Sequence, residues 1–275
     1  MNSDSELITF ALEHEATIRL VIFGAIFLLM MFWEIVAARR SLSISKLVRW
    51  RSNLGLLVIN SLLLRLFFPA AAVGLSLTVA EQGWGLFNNI ELAGWAEILI
   101  AIVLLDLAIY AQHVIMHRVP LLWRLHRVHH ADLDFDLTTG LRFHSIEILF
   151  SMLLKWLVII LIGPAAFAVL VFEIVLNGMA VFNHANAKLP IKLDSVLRRL
   201  IVTPDMHRVH HSVIVDETNS NYGFNLSIWD RLFRTYRDQP ARGHDAMVIG
   251  LAEFRDAQQV SLLRGILMLP FDKRR

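Results

Sequence analysis

Histidine is the residue with the most chemical potential in this chain. Twelve histidines occur in 275 residues, and ten of them fall between positions 113 and 211. Their spacing repeats. His113 and His117 stand four residues apart, and the string HRVHH occurs at His126-Arg127-Val128-His129-His130 and again at His207-Arg208-Val209-His210-His211. His144 and His184 stand alone between these boxes. On a helix, positions i, i+3 and i+4 share one face, and imidazoles at i and i+4 can reach one metal ion. Neutral imidazole suits zinc, copper, iron and nickel. One ion takes about four to six ligands, so eight histidines in three boxes point to two ions close together. A loose metal-sensing tract would be contiguous and of low complexity, whereas these boxes alternate with apolar segments. His14 and His244 lie outside the pattern and read as ordinary core or surface residues.

Other polar residues cluster with the boxes. Asp106, Tyr110, His113 and His117 fall on one helical stripe. A ligating imidazole usually gives its second N–H to a carboxylate or carbonyl. Asp106 lies within an apolar run, where an unpaired acid is costly, so a basic or imidazole partner at the site is expected for it. Glu147, three residues after His144, shares its face on a helix and is a candidate to orient that ring or a bound water. Arg142 is placed either to hold an acidic or phosphate headgroup or to anchor the chain at an interface.

These groups need a scaffold, and composition describes one. Hydrophobic residues make up 56% and charged residues 18%, against about 25% charged in soluble domains. Mean hydropathy is +0.56. Apolar runs cover Ile18–Ala38, Leu54–Ala80, Trp95–Ala111 and Ile148–Phe182. About 20 apolar residues cross a bilayer, so the first two runs suffice. The third suffices if its helix continues toward His117, and the fourth divides at Gly163-Pro164 into a hairpin of two short helices. The expected fold is all-α, an integral membrane helical bundle carrying a histidine-rich metal-binding cap. A soluble bundle of buried helices is the reading these runs argue against.

Basic residues set the direction. Arg39, Arg40, Lys46, Arg49 and Arg51 lie between the first two runs, and the loop from Glu81 to Gly94 carries no Lys or Arg. The first loop is therefore expected in the cytoplasm, with the boxes on the same side and the N-terminus outside. The acidic first 17 residues are unlike a cleavable signal peptide. A net charge of +2 is too balanced for a nucleic-acid binder. With no cysteine, disulfides, thiolate metal sites and cysteine nucleophiles are excluded. The chain divides into a membrane segment at 1–94, a histidine-box domain at 95–240 and a tail at 241–275. The tail's apolar stretch Val260–Phe271 is a candidate membrane-surface helix.

From Leu105 to Tyr236 the chain resembles the sterol desaturase / fatty acid hydroxylase superfamily, integral membrane non-haem di-iron oxygenases with three histidine boxes. The segments carrying the resemblance are DLAIYAQHVIMH, VPLLWRLHRVHH, TTGLRFHSIEI, FNHAN, TPDMHRVHHS and NSNYGFNLSIWDRLFRTY. The resemblance implies metal ligation by His113, His117, His126, His129, His130, His207, His210 and His211, with His184 of FNHAN as a further ligand. His144 stands where members carry a histidine in an Arg-x-His-Pro-x-Glu segment, here with Ser145 in place of proline, and is a further candidate. Val114 follows the first histidine where arginine is common. The implied cofactor is a pair of iron ions, which zinc can replace during purification. The implied reaction is O2-dependent hydroxylation or desaturation of a lipid at the inner membrane, with Glu147 and Asp106 as supporting acids. No Gly-x-Gly-x-x-Gly string occurs, so electrons are expected from a separate ferredoxin- or cytochrome-type donor. A divalent-metal transporter is the alternative, and would want ligands at mid-bilayer rather than past the span ends. A membrane cytochrome would need only paired histidines on facing spans.

Overall fold

The computed structural model describes residues 3–274. Among them the structure is helical, without strands; its only extended pairings are single bridges, such as Ala38 with Ala187 and Ser212 with Ile249. A short helix, α1 (Ser3–Glu13), leads into α2 (Glu15–Val36), α3 (Lys46–Phe67) and α4 (Ala71–Glu81). Then follow α5 (Gly94–Arg118), α6 (Pro120–His130), α7 (Ser145–Ile162) and α8 (Ala166–Asn183). Beyond these come the short helices α9 (Ile191–Leu197) and α10 (Pro204–His210), and further short turns out to Phe271.

Five stretches are long and apolar enough to cross a membrane: α2, α3 with α4, α5, α7 and α8. The chain is a multi-pass membrane protein. The third run does continue as a helix past His117. The fourth divides as its Gly-Pro pair requires. Gly163 takes the left-handed conformation at φ 66°, which ends α7, and its N–H still reaches the Ile159 carbonyl. A Cβ at Gly163 would lie 2.5 Å from the Trp84 carbonyl oxygen, so only glycine lets the hairpin tip dock on that turn. The second run breaks around Pro69, and the Trp156 indole N–H donates to the Ala71 carbonyl at the start of α4 at 3.1 Å. A broken helix within a bilayer needs such a partner. One cluster of charges inside the spans is likewise paired: Glu173 accepts from Lys155 at 2.6 Å and forms an ion pair with Arg19 at 2.8 Å.

The ends of these spans meet in a polar cap. Glu34, buried at the end of α2, accepts from the N–H groups of Leu137 and Asn186 at 2.7 and 2.8 Å and from Lys46 at 3.1 Å. It thereby ties together the loops that follow the second box and His184. Arg49 is fully buried and donates to Asp132 at 2.9 and 2.7 Å, to Asp136 and to Thr139. Asp134, between those acids, accepts from the N–H groups of Ser43 and Ile44. The alternating acids after the second box thus grip the basic loop and the start of α3.

Arg142, read from sequence as a headgroup or interface residue, is completely buried. It donates to the carbonyls of Val128 and Val260 and to Asn53, so it is an internal tie. Within the apolar tail, Val260, Ile266 and Leu269 pack against Leu56, Val128 and Phe254, while Leu262, Met268 and Phe271 remain exposed. Arg127 holds this tail by donating to the carbonyls of Leu269 and Asp272.

Replacing Arg49 by Met leaves Asp132 and Asp136 buried without their cation. Stranding a buried charge costs about 3–5 kcal/mol. The Arg49→Met protein should therefore show a large drop in Tm in detergent, and Asp132→Asn in that background should recover part of it.

Candidate metal centre

Each histidine box sits on a short, well-defined helical segment. The last two turns of α5 carry His113 and His117. Pro120, at the first turn of α6, restarts the helix at once and brings the second box back over the first. Thr203 caps α10 by accepting from the Met206 N–H, and Pro204 occupies its first turn. His184 terminates α8.

Nine imidazoles meet in two groups. One contains His113, His117, His126, His130 and His210; the other contains His129, His184, His207 and His211. Within each group the candidate ligand atoms lie within 4.8 Å of one another. The groups adjoin, since the rings of His130 and His211 stack with centroids 4.5 Å apart. The two HRVHH boxes divide in opposite ways. In the second box the i, i+4 pair His126 and His130 enters the first group, and His129 enters the second. In the third box the pair His207 and His211 enters the second group, and His210 enters the first. Each box therefore clamps one group and lends one imidazole to the other.

The rings are aimed from outside. His113 donates from Nδ1 to the Tyr222 carbonyl at 2.8 Å, His210 to the Ser220 carbonyl at 2.7 Å and His184 to the Ala180 carbonyl at 2.8 Å. His126 Nδ1 lies 2.7 Å from the Glu147 carboxylate. These bonds turn the opposite nitrogen inward, and Nε2 of His113, His126, His130 and His210 is buried with no hydrogen-bond partner. In the second group, Nε2 of His184 lies 3.1 Å from Nε2 of His129 and 3.0 Å from Nε2 of His207. His184 already donates through Nδ1, so its one inward lone pair cannot satisfy two neighbours. Ligands about 2.0–2.1 Å from a shared ion stand about 3 Å apart. Orphaned, converging lone pairs on neutral imidazoles fit divalent or trivalent transition metals, and both groups pass that test.

Burial and the neighbouring imidazoles hold His129, His130, His207 and His211 well below the usual histidine range. Burial brings His184 and His210 down to about 3. The rings are therefore neutral at physiological pH, the state a metal requires.

Three candidates from the sequence stand elsewhere. His144 caps α7, its Nδ1 accepting from the Ile146 N–H and its Nε2 3.3 Å from the Leu267 carbonyl, outside both groups. Asp106 accepts from the Trp229 indole at 2.8 Å and the Leu226 N–H at 3.2 Å; its partner is neither basic nor an imidazole. Glu147 does orient a histidine, but the ring is His126 rather than its sequence neighbour His144. His14 stacks on Phe10, and His244 lies beside Asp205.

Sequence reasoning missed the loop that aims His113 and His210. Asp230 is buried and accepts from the N–H groups of Tyr222 and Gly223, both at 2.8 Å, and from Thr235. It shapes the turn that presents the Tyr222 carbonyl. The motif NSNYGFNLSIWD marked this stretch without revealing that its backbone carries the contact.

The depressed histidines set an acid limit on the metal-free protein. Below the ordinary value of 6.5 the unfolded chain takes up protons that the folded rings refuse until about pH 3. Stability is complete above pH 6.5 and falls as pH drops through that window, by at most about 1.4 kcal/mol per pH unit per ring. The Tm of chelator-stripped protein should decline between pH 7 and pH 5. His210→Ala should flatten that decline.

Comparison with known proteins agrees with this geometry. The chain is 31% identical over 180 residues to the ornithine lipid hydroxylase OlsE of Rhizobium tropici, covering 62% of this chain and 53% of that protein. It is 36% identical over 131 residues to the alkylglycerol monooxygenase of Xenopus tropicalis, covering 48% of this chain and 28% of that one. It is 28% identical over 149 residues to the cholesterol 25-hydroxylase of Rattus norvegicus, covering 53% and 48%. The chain thus spans about half, or less, of the length of these relatives. No solved structure is significantly similar to it. The profile of the fatty acid hydroxylase family matches residues 98–235, which is half of the chain and holds every member of both histidine groups, and the chain belongs to that family.

Proposed function

We propose that this protein is a membrane-bound di-iron oxygenase that hydroxylates a lipid. The observation that carries the reading is the convergence of nine imidazoles into two adjoining groups with unpartnered inward nitrogens. His113, His117, His126, His130 and His210 would hold one iron ion, and His129, His184, His207 and His211 the other. Such a pair supplies O2 activation for attack on an unactivated C–H bond. One oxygen atom enters the C–H bond and the other leaves as water, with two electrons from a separate ferredoxin- or cytochrome-type donor and two protons. All three relatives named above are hydroxylases or monooxygenases of lipid substrates, which supports this class.

The chain's own residues have defined tasks in this reading. Glu147 and the carbonyls of Tyr222, Ser220 and Ala180 fix which nitrogen of His126, His113, His210 and His184 carries its proton. That choice turns Nε2 of these four rings inward, and in His113, His126 and His210 it is free to bind. Asp106 acts at a distance, by holding Trp229 and the segment that presents Tyr222. His144 serves α7 rather than an ion. The site opens to the cytoplasm at the inner membrane, as the basic loop after α2 implies.

Elemental analysis of purified protein should give about two ions per chain, with zinc replacing part of the iron. His126→Ala, His207→Ala and His211→Ala should each lower metal content and abolish lipid product while the protein still inserts. His14→Ala should retain both. Glu147→Gln should cost roughly 10–100-fold in metal affinity or activity. One ion per chain, with His207→Ala leaving metal content unchanged, would sink the two-site reading.

Five crossings put the termini on opposite faces. A reporter fused after the C-terminus should be active in the cytoplasm and inactive outside it.

A further inference from the structure

A polar cleft of about 390 Å³ opens on the cap between the loop after α2 and the segment preceding the tail. Arg40, Ser41 and Ser43 line one side, Ala246, Met247 and Arg255 the other. Arg40 is held at its backbone and Arg255 at its guanidinium. The backbone of Arg40 is pinned from both directions, its N–H donating to Asn186 Oδ1 at 3.0 Å and its carbonyl accepting from Asn186 Nδ2 at 2.7 Å. Arg255 donates from Nη1 to the Ile249 carbonyl at 2.7 Å. Gly250, at φ 101°, makes room for it, since a Cβ there would lie 2.9 Å from that same nitrogen.

The lining carries two guanidinium groups against one carboxylate, that of Asp134. Nη1 of Arg40 is buried and has no hydrogen-bond partner. The acid in the lining and the one beside it are already engaged. Asp134 accepts from the N–H groups of Ser43 and Ile44 and from the Ser43 hydroxyl, and Asp245 pairs with Arg39. A buried N–H of a charged group without an acceptor costs more than an ordinary lost hydrogen bond, and planar guanidinium matches the oxygens of phosphate or carboxylate. The cleft also stands at headgroup height. Arg40 follows α2 by four residues, and exposed Ile35, Val36, Leu47 and Val48 flank the loop on both sides.

We propose that this cleft binds an oxyanion, the phosphate of an acidic lipid headgroup, between Arg40 and Arg255. It takes over the headgroup role that sequence reading offered to Arg142, whose guanidinium is spent on Val128 and Val260. The cleft adjoins the second histidine group. Met247 in its wall packs with Phe135 and Ile249, and the Phe135 ring lies 5.1 Å from that of His211. An occupied cleft therefore braces the wall behind that group. The inference needs a membrane protein but not an oxygenase.

The test uses the purified holoprotein in neutral detergent, titrated with phosphatidylglycerol, with phosphatidylcholine of the same chains, or with inorganic phosphate. Phosphatidylglycerol should raise Tm saturably and phosphatidylcholine should not. Arg40→Gln and Arg255→Gln should each weaken the apparent affinity about tenfold or more, a loss appropriate to a charged hydrogen bond. Should either variant fold poorly, Ala246→Glu keeps both guanidinium groups, adds a negative charge to the exposed wall and should abolish the response. Saturation by inorganic phosphate at the same site, lost in the same variants, would confirm the oxyanion site and assign it to a free anion. Equal stabilisation by both lipids, or a response to phosphatidylglycerol that survives Arg40→Gln, Arg255→Gln and Ala246→Glu, overturns the proposal. No step of this readout requires turnover, so an inactive protein that binds and an active one that does not are told apart.

Discussion

Everything in the cap answers to one requirement: nine imidazoles must present lone pairs to each other in a buried space. Such an arrangement is unfavourable by itself. A buried unpaired polar atom costs about 1–3 kcal/mol. The chain cannot hold the rings with partners on the inside. It holds four of them, His113, His210, His184 and His126, by their outer nitrogens, through the carbonyls of Tyr222, Ser220 and Ala180 and the carboxylate of Glu147. Each of those acceptors must itself be fixed, and much of the remaining polar structure does that fixing. Asp230 shapes the Tyr222 turn, Asp106 and Trp229 anchor the same segment to α5, and Glu34 secures the loop that follows His184.

The HRVHH string makes sense against that requirement. Five residues hold three histidines on a little more than one turn, too close for all to serve one centre without crowding. The structure uses the i, i+4 pair for one group and sends the fourth residue to the other. The two copies do so in opposite senses, and the groups become interdependent. The arginine and valine between them face away. Arg127 grips the tail, Arg208 reaches Asp205 and the Ala185 carbonyl, and Val128 and Val209 are fully buried. One short motif therefore supplies ligands on one side and attaches its own helix to the cap on the other.

Much of this was legible in the sequence, and what was not has a common cause. Helical spacing and apolar run length are local properties, so the boxes, the apolar runs and the break at Gly163-Pro164 could be read directly. Partners of polar residues are not local. Asp106 was paired by spacing with histidines on its own helix, but a carboxylate there reaches outward to Trp229, 123 residues later in the chain. Glu147 lies three residues from His144 and bonds His126 instead, because His144 is turned away to cap the first turn of α7. Arg142 looked interfacial because arginine usually is; here the carbonyls of Val128 and Val260 and the Asn53 side chain accept its N–H groups and make burial tolerable. Backbone carbonyls that aim rings leave no residue-type signal at all, so Tyr222, Ser220 and Ala180 could not be found by inspection.

Two solvents divide the stabilisation of this molecule. Within the bilayer the spans satisfy their own backbones, and Arg19 and Lys155 both pair with Glu173. Little there depends on the histidines. The cap stands outside lipid and is built from loops and short helices, which an apolar core alone would not define. Its order rests on buried charge pairs such as Arg49 with Asp132 and Asp136, which fix geometry more than they add stability. A metal that bound the inward nitrogens would add free energy to the cap and to the end of α5, where the converging imidazoles stand, and not to the rest of the spans. The bundle can therefore be made and inserted first, and the cap brought to its final rigidity by what it binds.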